Sequence, residues 1–311
     1  MKPIVTLTLN PSIDGASEAE EVRPIRKIRT SNERYDPGGG GINVARVIAE
    51  LGGPSLAIYM AGGVTGSVLD GLLDHVKLAR QRVGIEDHTR ISHVVFERST
   101  GTEYRFTPEG PAIREAEWRR CLEVIADHDF DCLVASGSLA RGVPEDFYIR
   151  AAGIVSEKGA RLVLDTSGPA LRATLDAGGV FLVKPSQGEF EQLVGRKLTG
   201  EGALERAAKE FVESGKAEII AVTLGHEGAV LAHAGGVLRL PALPVKPRSA
   251  VGAGDSFVAA MVLKLAQGAP VADAFMYGVA AGTAAVLSPG TALCGRAEVD
   301  RLYGEVRTRN K

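Results

Sequence analysis

Apolar and polar positions change rhythm several times along the chain, and each change marks an element. Val5-Thr6-Leu7-Thr8-Leu9 alternates with period two and predicts an opening strand. In 41–53, Ile42, Ala45, Ile48 and Ala49 recur at helical spacing, and Gly52-Gly53 ends the run. A short apolar strand is expected over 55–63 and a helix over 67–81. Two strands, 91–97 and 102–107, flank the turn Ser99-Thr100-Gly101. Beyond Pro111 the rhythm is regular. Helix 114–126 precedes strand 132–136, helix 145–157 precedes 161–165, and helix 169–177 precedes 180–184. Helices near 187–194 and 201–214 precede strand 218–224. A hairpin through Gly235-Gly236 spans 228–240, and two long helices, about 254–267 and 270–287, close the chain.

Continuous β-branched strands alternating with helices imply a mostly parallel sheet covered on both faces, hence the α/β class. Residues 12–36 and the strand pair near 91–107 break that rhythm and read as β-structure projecting from the sheet edge. No repeat or low-complexity linker divides the 311 residues, so one domain over 1–311 with an inserted flap is expected.

Composition narrows the partners. A chain that is 45% apolar has ample core, and a formal net charge of −2 gives no reason to expect nucleic acid or an acidic membrane. Aromatics at 5% argue against stacked single-stranded bases. Cys121, Cys132 and Cys294 are odd in number with no C-x-x-C pair, which disfavours a disulfide framework or zinc site. No apolar run approaches a membrane span or a signal-peptide core, and a cytoplasmic protein is expected.

Candidate chemistry lies where strands end, because open α/β sheets bind ligands beyond the carboxyl ends of their strands. The residues there are Asn10-Pro11-Ser12-Ile13-Asp14, Gly137-Ser138-Leu139, Thr166-Ser167-Gly168, Pro185-Ser186-Gln187-Gly188-Glu189 and Gly225-His226-Glu227-Gly228. They form a polar rim on an apolar sheet. Pro37-Gly38-Gly39-Gly40-Gly41-Ile42-Asn43 runs straight into a helix, so backbone can approach a ligand closely and Asn43 can reach a hydroxyl. Gly252-Ala253-Gly254-Asp255 begins another helix, where free N–H groups attract anions. An acid beside such an anion hole is the arrangement phosphoryl transfer needs; a first-turn acid that merely stabilises its helix is the alternative. Arg90 and Arg105 on the inserted strands, with the basic run Arg23, Arg26, Lys27, Arg29 and Arg34, could hold a substrate phosphate, although a solvated face suffices for Arg23, Arg26 and Arg34. No P-loop occurs, since Glu210 stands where Gly215-Lys216 would require glycine, and no G-x-G-x-x-G occurs either. The six histidines show no metal-ligand spacing, and Trp118 reads as a packing residue.

In order along the chain, TLTLNPSID, PGGGGINVARVIAELGG, SGSL, DTSG, KPSQGE, TLGHEG and VGAGDSF resemble the PfkB-type carbohydrate kinases of ribokinase-like fold, over residues 5 to about 294. The likeness is strongest to the subgroup of minor bacterial ATP-dependent 6-phosphofructokinases, through PGGGGINVAR, Lys27 with Arg29, Thr89-Arg90, the YRF at 104–106 and GTALC at 290–294. Relatives that phosphorylate fructose 1-phosphate or tagatose 6-phosphate typically carry Gly-Lys-Gly where this chain has Gly39-Gly40-Gly41.

The resemblance implies a three-layer α/β/α fold with a small β-lid from about 12–36 and 88–108, and a homodimer formed through that lid. It implies a phosphotransferase that uses ATP, Mg²⁺ and K⁺ on a sugar phosphate. Asp255 would be the base, with Gly252, Ala253 and Gly254 as the anion hole. Asp14, Gly39, Gly40, Asn43 and Ser138 would hold the sugar, and Lys27, Arg29, Arg90 and Arg105 its phosphate. Lys184, Ser186, Thr223, Gly225, Gly228, Val279 and Thr283 would surround ATP. Glu189 would organise Mg²⁺ through water, while Ser249, Val251, Ala285, Ser288 and Gly290 would ligate K⁺. A non-catalytic sugar-phosphate sensor is the rival reading. Four departures stand out. Ser186 replaces the usual asparagine of N-x-x-E, and Ala140-Arg141 replaces Pro-Pro. Ala250 replaces a threonine, and Arg23 takes a lid position that is often aromatic.

Overall fold

The opening strand β1 (Ile4–Thr8) leads into an antiparallel pair, β2 (Ser12–Ala19) and β3 (Thr30–Gly38), and then α1 (Gly40–Glu50). The next elements are β4 (Ser55–Gly62), α2 (Gly63–Asp74), β5 (Ala79–Ile85), β6 (Arg90–Glu97) and β7 (Thr102–Phe106). Strands then alternate with helices through α3 (Glu115–Asp127), β8 (Cys132–Ser136), α4 (Phe147–Glu157), β9 (Arg161–Asp165), α5 (Gly168–Ala177), β10 (Val180–Val183), α6 (Gln187–Val194), α7 (Ala203–Glu213) and β11 (Ala217–Thr223). A hairpin, β12 (Ala229–His233) and β13 (Gly236–Leu240), precedes α8 (Ala253–Ala266), α9 (Val271–Val286) and α10 (Arg296–Arg309). This computed structural model describes residues 1–310.

Nine strands make one sheet in the order β13-β12-β11-β10-β9-β8-β1-β4-β5. Pairing is parallel from β11 to β5, and the terminal hairpin adds antiparallel. Period-two alternation sends successive side chains to opposite faces. Val5 and Leu7, Leu133 and Ala135, Leu162 and Leu164, Ile220 and Val222 enter one core, shared with Trp118, Phe147, Phe190 and Phe211. Ile4, Cys132, Val134, Val163, Ile219 and Ala221 enter the other, shared with Val44, Phe257, Phe275 and Leu302. The strands read as unbroken apolar runs because both faces are covered: α3 to α7 lie on one side, α1 and α8 to α10 on the other. Each fully buried Val or Leu contributes about 1.5–3 kcal/mol of transfer free energy. A fold of this kind, ribokinase-like in architecture, is the one expected.

The four strands that broke the rhythm form a separate small sheet, β3-β2-β6-β7, from the residues expected to make the lid. Residues 12–36 are strands for much of their length, as expected of an edge projection.

Two expectations need correction. The helix expected over 67–81 ends at Asp74, and 79–85 is the edge strand β5. The apolar spacing of Leu69, Leu72 and Val76 continues past the true end, so periodicity alone misses the stop. Tertiary partners decide it. β5 pairs in parallel with β4 from Ala79 to Ile85, and Arg82 there pairs with Asp70 at 2.6 Å and donates to the Ala61 carbonyl at 2.9 Å. The closing helices number three, not two. In α10, only Val299, Leu302 and Val306 are buried, and so sparse a stripe in a charged segment hid the helix.

Candidate active site

Two cavities lie at opposite ends of the main sheet's strands. The larger, about 750 Å³, lies at the amino ends of β9 to β11 beside Arg161, Val180 and Ala217, away from every motif above. The smaller, about 290 Å³, opens at the carboxyl ends and is lined by Gly40, Ser136, Gly137, Ser138, Asp165, Thr166, Ser167, Glu189 and Asp255. The second collects the chemistry, where the strand-end rule places it.

Its floor is built by the glycine run. Gly39 has φ +114°, and a Cβ on Gly40 would collide with the Ser136 hydroxyl and the Gly137 amide. The chain must therefore lack side chains to pass between β1 and β8. Helix α1 has no side-chain cap; Thr8 at the end of β1 accepts from the Ile42 N–H at 2.9 Å. Gly252, at φ +72°, likewise caps α8 without a side chain. First-turn amides of α8 are thus left for an anion, as the sequence suggests.

Asp255, in that first turn, faces the cavity. Its Oδ2 accepts from Asn43 Nδ2 at 2.9 Å, and its Oδ1 from Ser136 Oγ at 3.4 Å. Burial and the charge of Asp165 push the Asp255 carboxyl up to about 7, against the pull of Asn43 and Lys184. Lys184, buried at the end of β10, pairs with Asp165 at 3.0 Å and stands beside Gly254. Its own burial favours the neutral amine, but Asp165, Glu189 and Asp255 outweigh that and keep it a cation. One ammonium and three carboxylates therefore share a small, sheltered volume.

Glu189 is held by its neighbour. Ser186 caps α6, and both its N–H and its hydroxyl donate to Glu189 Oε2 at 2.7 Å. Thr223 donates its N–H to Pro185 O, joining β11 to that cap; Gly225 and Gly228 bracket the following 3₁₀ turn. Val279 is buried on α9, and Thr283 spends its hydroxyl on the Val279 carbonyl. The segments around Ser249 and Ser288 are laced together. Val251 N–H donates to Ser249 Oγ, Arg248 and Ser249 N–H groups to Val286 O, and Ser288 N–H to Ala285 O. Ser288 Oγ donates to Leu293 O, and Gly290 lies near Ala16 of the lid.

The lid contributes unevenly. Asp14 of β2 lies against Gly38, and its carboxyl is raised by burial while Ser12 and Arg90 pull it down. Arg90 donates to the Pro108 and Asn10 carbonyls and keeps its Nε buried without a partner. Ser138 accepts from Asn10 Nδ2 at 3.3 Å. Lys27 and Arg29 are exposed on the loop between β2 and β3, away from the cavity. Arg105, on the outer strand β7, pairs with Glu103 at 2.9 Å and is not brought to the site.

Asp165, Ser136, Thr166 and Arg46 carried no assigned role. The signal for Asp165 was present, since it closes β9 at the carboxyl edge in the DTSG stretch. Among the described residues no cluster of three His, Cys, Asp or Glu side chains could cage a metal, and no helix is long and apolar enough to cross a membrane.

The model for pfkB family carbohydrate kinases matches residues 8–297. The chain belongs to that family. Its members transfer phosphoryl groups to sugar hydroxyls. The chain is 42% identical over 302 residues to an ATP-dependent 6-phosphofructokinase isozyme 2 of Mycobacterium tuberculosis, covering 96% of this chain and 88% of the relative. It is 33% identical to a 1-phosphofructokinase of Borreliella burgdorferi, covering 98% of this chain and 97% of that one. Its fold is similar to phosphofructokinase-2 of Escherichia coli, solved with potassium (TM-score 0.95, 41% identity, 99% of this chain and 100% of that one). The same enzyme has been solved with fructose-6-phosphate and in a tetrameric inhibited form, each with TM-score 0.93, 40% identity and the same shares of both chains.

Proposed function

We propose that this carbohydrate kinase phosphorylates fructose 6-phosphate with ATP, giving fructose 1,6-bisphosphate. The observation that carries the reading is Asp255: a sheltered carboxylate in the first turn of α8, beside uncapped amides, bonded to Asn43 across the cavity. Asp255 takes the proton of the attacking hydroxyl. The amides of Gly252, Ala253 and Gly254, with Lys184, hold the charge on the transferring phosphoryl. Asp14, Gly39, Gly40, Asn43 and Ser138 orient the sugar. Arg90, with an unpaired buried Nε, meets the sugar phosphate.

Lys27 and Arg29 lie too far out to serve their own cavity, so they serve a second copy. Exposed apolar side chains support that pairing. Ile25, Ile28, Tyr35, Ile91, Phe96 and Phe106 all lie on the lid or its loop, where a partner's lid would cover them. The dimer is accordingly formed lid to lid.

The donor sets fit the implied ions. Only one oxygen of Glu189 is committed to the Ser186 cap, which leaves the other to orient water around Mg²⁺. Mg²⁺ neutralises nucleotide charge when bound. The carbonyl-rich segments at Ser249–Val251 and Ala285–Gly290 suit a monovalent cation, K⁺, beneath the anion hole. ATP lies along Ser186, Thr223, Gly225 and Gly228, with its base toward Val279 and Thr283.

Coupled measurement of ATP consumption tests the assignment. Asp255→Asn is expected to lose about 10²–10⁴-fold in kcat while still binding sugar phosphate. Turnover retained in that variant overturns the role of Asp255. A higher kcat/KM for fructose 1-phosphate or tagatose 6-phosphate than for fructose 6-phosphate overturns the substrate.

A further inference from the structure

Arg46 is half-buried on α1, three residues after Asn43 and on the same helix face. Among the described residues it forms no ion pair. Its Nη1 donates to the Pro37 carbonyl at 2.9 Å and to Asn43 Oδ1 at 3.3 Å. One nitrogen with two hydrogens thus serves two acceptors, one on the last residues of a lid strand and one in the site. Burial draws the Arg46 guanidinium down from its ordinary value, Asp36 and Asp14 oppose that and Arg34 adds to it, and a guanidinium remains a cation throughout.

An amide has an accepting end and a donating end. With Oδ1 held by Arg46, Nδ2 must face Asp255, and it does, at 2.9 Å. Reversal would set Oδ1 against a carboxylate oxygen and the amino group against a guanidinium. Two acceptors would then meet at one end and two donors at the other, so both contacts would fail together. We propose that Arg46 is a positioning residue: it fixes which end of the Asn43 amide faces Asp255 and ties the root of the lid to that carboxylate. The proposal rests on the reading of Asp255 as the base. A guanidinium suits the task because its planar fork holds direction, where an ammonium on a flexible stem does not.

The test is a double-mutant cycle at saturating substrate, with Tm recorded for every variant. Arg46→Met is expected to lower kcat about 10- to 50-fold and to move the sugar-phosphate KM less than about threefold, as a misaligned base would. In an Asn43→Ala background the same substitution is expected to cost less than about twofold, because no amide remains to orient. Arg46→Lys, which keeps a donor near Oδ1, is expected to recover part of the loss. A full Arg46→Met cost persisting without Asn43 overturns the proposal, as does an unchanged kcat at unchanged Tm. Should Arg46→Met not fold, Arg46→Lys carries the cycle: an intermediate loss that vanishes with Asn43 supports the proposal, and one that persists overturns it. If Asp255→Asn is inactive while Arg46 variants are indifferent, only the positioning role fails. If Asp255→Asn retains turnover, the base assignment fails first.

Discussion

The main sheet and the lid are held together by different forces. Strands of the main sheet bury apolar side chains on both faces, and Asp255, the proposed base, hangs from a helix packed on that core. Of the lid strands only β2 is mostly buried; β3, β6 and β7 stay largely exposed or half-buried. They are knit by polar contacts: Glu97 accepts from Val22 N–H, Thr100 and Tyr104, Ser17 bonds His93, and Thr291 donates to Asp36. Apolar packing resists displacement, since any void or clash is felt, whereas hydrogen bonds can be exchanged with water or a partner. The two regions should therefore fail differently. Damage at the sheet edge should abolish turnover, and damage in the lid should weaken capture of substrate.

The sharpest way to break that contrast is Gly40→Ala. One methyl there meets the Ser136 hydroxyl and the Gly137 amide, and both lie on the rigid strand end. Displacement of the cavity floor by a fraction of an ångström is expected to cost about 100-fold or more in kcat. A steady-state assay checks it, and near-normal turnover would mean that the floor is as pliable as the lid.

Next comes the buried pair. Lys184→Met leaves Asp165 facing Asp255 without its cation. The expected loss is about 3–5 kcal/mol of stability, read by urea denaturation, because an uncompensated charge stays inside. No exposed lid ion pair, such as Arg105–Glu103, should cost more than about 1 kcal/mol when cut.

Acidity gives a third probe. Asp255 must be ionised to accept a proton, and its carboxyl sits at about 7. Activity is expected to fall as pH drops through about 7, as an acid limb in kcat/KM. Stability runs the other way. A carboxyl raised from an ordinary value of 3.8 holds its proton in the folded state while the unfolded chain releases it. Its contribution is therefore lost as pH rises from about 4 to about 7. Asp255→Asn should consequently raise Tm at pH 8 while removing activity, and calorimetry at pH 5 and pH 8 reads the difference.

The lid's own prediction is smaller. Lys27→Ala and Arg29→Ala are each expected to raise the sugar-phosphate KM about 10- to 100-fold with kcat changed little, the cost of one charge-assisted contact. Equal losses in kcat would erase the distinction between the regions.

How much of this was visible in the sequence follows the same division. Asp255 and Asn43 lie far apart in the chain, yet each follows its own glycine run, and local backbone demands leave local marks. The parallel strands were legible because burial on both faces makes them uniformly apolar. Strand β5 was not, since its charged side chains answer to Asp70 and Asp74 on the preceding helix α2. Arg105 illustrates the lid's opacity: alternation along a short, mostly exposed strand does not say which side chains turn inward. Arg46 sits inside a recognised motif, but its meaning lies in two partners that only the fold supplies.

The smallest effect expected concerns Ser186, and it tests whether the sheet-edge region is uniformly intolerant. Its hydroxyl both receives from the Glu189 N–H and donates to the Glu189 carboxylate, so it acts first as the cap of α6. Ser186→Ala should cost about 1 kcal/mol of stability, as capping losses do. Ser186→Asn should cost almost none, since asparagine caps equally well. Asn keeps the backbone N–H on Oε2 but lacks the hydroxyl, so that oxygen loses one of its two donors, and the Mg²⁺ concentration needed for half-maximal rate should fall by a few-fold. If Ser186→Asn instead matches Ser186→Ala in stability and leaves the Mg²⁺ requirement unmoved, the cap is not what holds Glu189. The carboxylate would then be positioned by the cavity as a whole, and the rigid region would extend one residue further than the hydrogen bonds indicate.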